Sequence, residues 1–263
     1  MAGGAVAVLG AADPAAKVAL SRALAAAWRG GAMPVGTAEP PARPARPSRP
    51  LLAPPRAMER RRSLASRHGR VALFHALAHI ELNAIDLAWD IVARFAAAGL
   101  PRAFFDDCVA VAAEEAEHFA LLAERLAALG ASYGDLPAHD GLWEAAAATA
   151  GDLVARLAVV PLVLEARGLD VTPAMIERLR RAGDDAGAAL LDRIYLDEIG
   201  HVATGARWFE RLCGVRGLDP ATAFGELVRR HFRGALKPPF NAAARERAGL
   251  PDAYYAPLAA GAG

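Results

Sequence analysis

The amino-acid sequence predicts an all-α protein built around a four-helix bundle, and three observations carry that expectation. Composition comes first: 54% of the 263 residues are hydrophobic but only 6% aromatic, with much Ala and Leu and few β-branched runs, a balance that favours helix. Periodicity comes second, because from Val71 onward apolar residues recur at helical spacing and no strand-like alternation appears. Third, two Glu-x-x-His quartets, Glu115…His118 and Glu198…His201, each follow a Glu on another helical segment at nearly equal distance. Glu81 lies 34 residues before Glu115, and Glu165 lies 33 residues before Glu198.

Residues three apart share a helix face, so each quartet aims one carboxylate and one imidazole the same way. A Glu from each of two helices, plus a Glu-x-x-His from each of the other two, is the ligand inventory of a dinuclear metal site inside a bundle. The candidate ligands are Glu81, Glu115, His118, Glu165, Glu198 and His201. With seven His and 14 Glu in the chain, fewer than one such quartet is expected by chance. Four carboxylates and two imidazoles suit iron or manganese better than zinc, and they balance two divalent ions. Asp197 and Glu114 precede the ligand glutamates and are candidates to orient a ligating His. Tyr195, three residues before Glu198, could hydrogen-bond a ligand or pass an electron, with simple packing an equal alternative.

The elements follow in order. Asp13-Pro14 is a cap followed by a first-turn proline, and it opens a helix over 14–29 that stops at Gly30-Gly31. Prolines every third residue over 41–50 suit polyproline II and line up Arg43, Arg46 and Arg49 on one edge. Residues 43–70 hold nine Arg and one acid, Glu59. An arm laid along an acidic groove of its own bundle is the favoured reading, with an anion or RNA contact as the alternative.

Helix one runs over 70–98, with Phe74, Leu77, Glu81, Ile85, Ala88, Val92 and Phe95 on its apolar face. A polar stripe elsewhere holds His75, His79, Asp86 and Asp90, the two His being read as polar residues behind the ligands or on the surface. Helix two spans 102–129, and a turn-rich stretch over 134–141 separates the halves. Helix three, 142–167, contains Pro161 one turn before Glu165, where a lost backbone bond predicts a kink or a bulge. A short helix begins at Thr172-Pro173 and runs to 182, and helix four covers 185–212, where Gly200 and Gly205 permit close approach or leave room for a substrate. Helices over 220–232 and 241–248 complete the chain. The expected division is 1–69 for the N-terminal helix and arm, 70–213 for the bundle, and 214–263 for a C-terminal helical extension.

Several classes are disfavoured. The net charge of +1 gives no global pull toward nucleic acid or anionic membrane. Cys108 and Cys213 make neither a disulfide framework nor a CxxC motif, and Cys108 reads as a small buried hydrophobe. The N-terminus lacks a basic region before its short apolar stretch, and no uncharged apolar run reaches 18 residues. The expectation is a cytoplasmic protein with no membrane partner.

Five segments carry a resemblance: HALAHIELNAIDLAWD (75–90), EEAEHF (114–119), EARGLDVTP (165–173), DEIGHVATGARWF (197–209) and KPPFN (237–241). The ligand set resembles that of the ferritin-like di-iron carboxylate superfamily. Over about residues 40–250 the chain is similar to an uncharacterised bacterial family of ferritin-like-domain proteins. The resemblance implies a ferritin-like bundle, an N-terminal Arg/Pro arm, short flanking helices, and two Fe ions (or a mixed Mn/Fe pair) on the six ligands above. It implies an O₂-activating oxidase or hydroxylase acting on an unknown small molecule, with an electron-donor protein as partner. Iron or peroxide handling in the manner of ferritins and rubrerythrins is the alternative. A tRNA-hydroxylating di-iron enzyme has a similar bundle and keeps RNA among the substrates. One departure is Gly200, where many oxygenases have Arg within the second motif.

Overall fold

The computed structural model describes residues 1–54, 63–233 and 235–259. Among these there is no strand, only two isolated parallel bridges, Leu52 with Ala138 and Leu236 with Ala259, so the protein is all-α. The chain divides into two compact units, Met1–Trp143 and Glu144–Gly263.

The first unit is centred on a hairpin of α3 (Arg67–Arg94) and α4 (Arg102–Ala128). Ser66 caps α3 by accepting the Gly69 amide, an arrangement worth about 1 kcal/mol. Gly69 is required there, because a Cβ would lie 2.1 Å from the Ser63 carbonyl oxygen. Arg67 donates to the carbonyls of Leu129 and Gly130 at 2.5 and 2.6 Å. That ties the start of α3 to the end of α4, sets the pair antiparallel, and satisfies carbonyls that a helix end leaves open. By length and composition α3 could cross a membrane, but 78% of its apolar window is buried within the protein.

Two further helices, α1 (Ala2–Gly10) and α2 (Pro14–Arg29), pack on α3 and α4 respectively. The helix α1 is not expected from its Gly-rich sequence; burial of Ala2, Ala5, Val8 and Leu9 overrides poor local propensity. The polar stripe of α3 does not face water. His75, His79, Asp86 and Asp90 are all buried. Buried Lys17, on α2, donates to Asp86 Oδ1 at 2.6 Å and to the Val8 carbonyl at 2.9 Å. Arg46 pairs with the other Asp86 oxygen and donates to Asn83. Arg94 clasps Asp90 and donates to the Pro41 carbonyl, and Arg43 pairs with Asp140. Desolvation pushes Asp86 up and Lys17 down in pKa, against their mutual attraction. The arm therefore lies along an acidic groove of its own unit, while Arg49 is exposed. Arg56, Glu59, Arg60, Arg61 and Arg62 fall outside the described residues.

In the second unit the single expected helix over 142–167 is broken. Instead there are α5 (Gly141–Ala147), which straddles the division, then α6 (Leu153–Val159) and a π-helical turn, Val160–Glu165. Buried Arg156 holds the break between α5 and α6 by donating to the Ala146 carbonyl and to Thr149 Oγ1. The next helix, α7 (Ala166–Arg181), absorbs the helix expected to start at Thr172-Pro173. Pro173 cannot donate to the Leu169 carbonyl, and Asn241 Nδ2 donates to that carbonyl instead, at 3.1 Å. Opposite runs α8 (Asp185–Val215). Contacts of Arg216 with Asp152, Gly205 with Pro161 and Arg180 with Asp192 step along the pair and make it antiparallel. The unit is completed by α9 (Pro220–His231), α10 (Ala242–Arg247), α11 (Asp252–Tyr255) and a 3₁₀ turn, Ala256–Leu258. Cys108 and Cys213, one in each unit, are both buried free thiols.

Candidate metal centre

Glu81 comes from α3, and Glu115 with His118 comes from α4. The antiparallel register brings them together: one ligand atom from each lies within 4.8 Å of the others. His118 Nδ1 is 3.5 Å from Glu81 Oε2 and 3.5 Å from Glu115 Oε2. Glu81, Glu115 and His118 are 5%, 1% and 0% exposed. Ionised carboxylates at that depth are expensive unless paired or metal-bound. Burial by itself would push the His118 pKa down, but the adjoining Glu115 and Glu81 outweigh it and raise it to about 11. Without metal, a proton on His118 thus balances part of the carboxylate charge, and a divalent ion would take that proton's place. Two carboxylates and one imidazole are hard-to-borderline donors. The group could hold a metal ion.

In the second unit, Glu198 and His201 stand one turn apart on α8, with His201 Nδ1 3.4 Å from Glu198 Oε1. His201 is buried and the Glu198 side chain is 14% exposed. Glu165 ends the π-helical turn and is half-buried. Gly205 meets Pro161 across the hairpin; Glu165 follows the proline by four residues and His201 precedes the glycine by four.

The irregularity at Pro161 has a physical cause. Proline offers no amide to the carbonyl one turn back, so the ladder slips into π geometry, a distortion frequent at functional sites. Gly205 lets the proline ring come close, since a Cβ there would lie 2.4 Å from Pro161 Cβ. Gly200 makes no such approach: it is exposed, and a Cβ added there would meet nothing within 4 Å.

Of the supporting candidates, Glu114 is exposed and Asp197 is half-buried beside Glu198. The Tyr195 hydroxyl accepts from Asn241 Nδ2 at 3.0 Å, joining α8 to the chain that precedes α10. His75 and His79 are not surface residues. The Gly134 and Leu136 amides donate to His75 Nε2, at 3.0 and 3.3 Å. His79 bonds the Tyr133 hydroxyl at 2.8 Å and the His139 carbonyl at 3.0 Å, and Tyr133 stacks on both rings. Desolvation lowers the His79 pKa to about 4, keeping the ring neutral. Sequence reasoning missed two buried ion pairs, Lys17–Asp86 and Arg245–Asp170. A lone N-terminal lysine in a chain with 28 Arg was the available signal for the first; the second spans 75 residues and left none.

Fold and site together define an all-helical protein with a buried Glu/His group suited to a metal ion. Residues 10–256 match the family described as "Protein of unknown function (DUF455)", and the chain belongs to that family. It is 45% identical over 207 residues, 77% of this chain and 72% of the relative, to a Haemophilus influenzae protein named "Uncharacterized protein". No solved structure matches it.

Proposed function

We propose that this is a ferritin-like dinuclear iron protein that activates O₂ to oxidise or hydroxylate a small organic molecule. The observation that carries the reading is the buried Glu81–Glu115–His118 group, whose residue pattern recurs as Glu165, Glu198 and His201. In this reading Glu81, Glu115, His118, Glu165, Glu198 and His201 would hold a pair of iron ions, with manganese able to replace one of them. Glu81, Glu115, Glu165 and Glu198 would supply the carboxylate donors, and His118 and His201 would each add an imidazole. When bound, the ferrous pair supplies the electrons that reduce O₂. The chain's own part is to fix the donors on rigid helices and exclude water with buried neighbours such as Leu82, Ala112 and Val202. Turnover would call for an electron-donor protein as partner.

The test is anaerobic loading with Fe(II) followed by exposure to O₂. Rapid O₂ uptake in proportion to protein, lost in Glu115→Gln, is expected. A site that binds iron yet leaves O₂ unconsumed contradicts the reading, and many-turnover iron oxidation with mineral accumulation replaces it with iron storage.

A further inference from the structure

A cavity of about 350 Å³ lies within the second unit, beside the π-helical turn. Val163 and Leu164 of that turn form its apolar wall with Phe232, Leu236 and Phe240. Four cations line the same cavity, Arg167, Arg233, Lys237 and Arg245, against one acid, Asp170. Asp170 is already taken up by Arg245, accepting Nε at 2.8 Å and Nη2 at 2.7 Å. Arg245 is 2% exposed, and its buried Nη1 has no hydrogen-bond partner among the described residues. Arg167 donates mainly to neutral acceptors, the carbonyls of Lys237 at 2.6 Å and Pro239 at 3.1 Å, with Asp170 farther off at 3.4 Å. Arg233 and Lys237 are exposed at the rim. The cavity thus combines an apolar wall with positive charge that its single carboxylate does not balance. Its volume falls at the lower end of small-molecule sites, roughly 300–1,000 Å³.

We propose that this cavity binds a small organic oxyanion, a carboxylate or phosphate ester on an apolar body, and that such a molecule is the substrate of the metal site. The second half rests on the preceding proposal; the first does not. The apolar body lies against Val163 and Leu164, and the head group meets the arginine and lysine side chains. The turn that supplies Val163 and Leu164 to the wall ends in Glu165, a proposed metal ligand.

Calorimetry on the full-length, metal-depleted protein tests the binding claim with decanoate, decyl phosphate, decan-1-ol and inorganic phosphate as probes. Decanoate or decyl phosphate is expected to bind at least about tenfold more tightly than decanol or inorganic phosphate, because charge-assisted contacts act only on an anion. The tighter of the two identifies the head group. Replacing both rim cations, Arg233→Gln with Lys237→Gln, should weaken the anion about fivefold or more while leaving decanol binding and Tm unchanged. Ala235→Trp, which fills the cavity, should abolish binding of anion and alcohol alike. Equal affinity for decanol and the anions, or full anion affinity in the double variant, overturns the site. The substrate claim is tested in Co(II)-loaded protein, where adding the tighter anion should perturb the visible cobalt spectrum. Anion binding with an unmoved spectrum overturns the substrate assignment alone. Failure to load Co(II) overturns the metal reading and leaves the anion site to its own result.

Discussion

The two units carry the same Glu and Glu-x-x-His sequence pattern in hairpins of different construction. In the first, α3 and α4 run without interruption past Glu81, Glu115 and His118, and all three side chains are buried. In the second, the helix leading to Glu165 slips into a π-turn, Glu165 is half-buried, and a cavity opens beside it. Counting from these residues locates the difference. The residue four before Glu81 is Leu77 and the residue four after His118 is Leu122, whereas the matching positions around Glu165 and His201 are Pro161 and Gly205. In the second hairpin a proline facing a glycine goes with close approach and irregular backbone. Repeated donors therefore do not enforce repeated geometry. The first hairpin is built as a fixed scaffold, and the second as the half beside which a ligand could sit.

The largest expected effect breaks the scaffold side of this comparison. Asp86→Asn leaves buried Lys17 without its carboxylate, and loss of one partner from such a pair typically costs about 3–5 kcal/mol. Urea unfolding should register that loss, and a change below about 1 kcal/mol would mean that the arm and α2 hold α3 by other contacts. Next comes the ligand set. Glu115→Gln, at the more deeply buried carboxylate of the first unit's group, should remove both ions if the proposed pair forms, whereas His201→Ala should leave one. Equal losses would show that the two residues contribute alike to metal retention.

Smaller effects sharpen the second hairpin. Gly205→Ala drives a methyl group into Pro161, an overpacking expected to cost about 1–3 kcal/mol and to lower Tm. Gly200→Ala, on an exposed face of the same helix, should instead stabilise by up to about 1 kcal/mol through helix propensity. If both changes moved Tm the same way, the close approach at Gly205 would not be what separates the two positions.

Much of this is legible in the sequence where signals are local. The helix over 14–29 begins at Asp13-Pro14 and is predicted to the residue, and α4 and α8 follow from apolar spacing. The group formed by Glu81, Glu115 and His118 follows from carboxylate-imidazole spacing, and Pro161 announces an irregular turn. What escapes depends on distant contacts. His75 and His79 have the spacing of an exposed polar face, but residues 133–139 fold over them. The break after Ala147 depends on Arg156 reaching back to Ala146 and Thr149, and Pro173 stays inside α7 with Asn241 bonded to the carbonyl it orphans. None of these is written in a local pattern.

The most direct test counts metal. Metal-depleted protein titrated with Fe(II) under anaerobic conditions, then freed of excess and analysed for iron per chain, should hold two ions, with Glu115→Gln retaining none. A folded wild-type protein that retains no iron, or one that holds two ions undiminished in Glu115→Gln, would contradict a dinuclear centre built on this buried group.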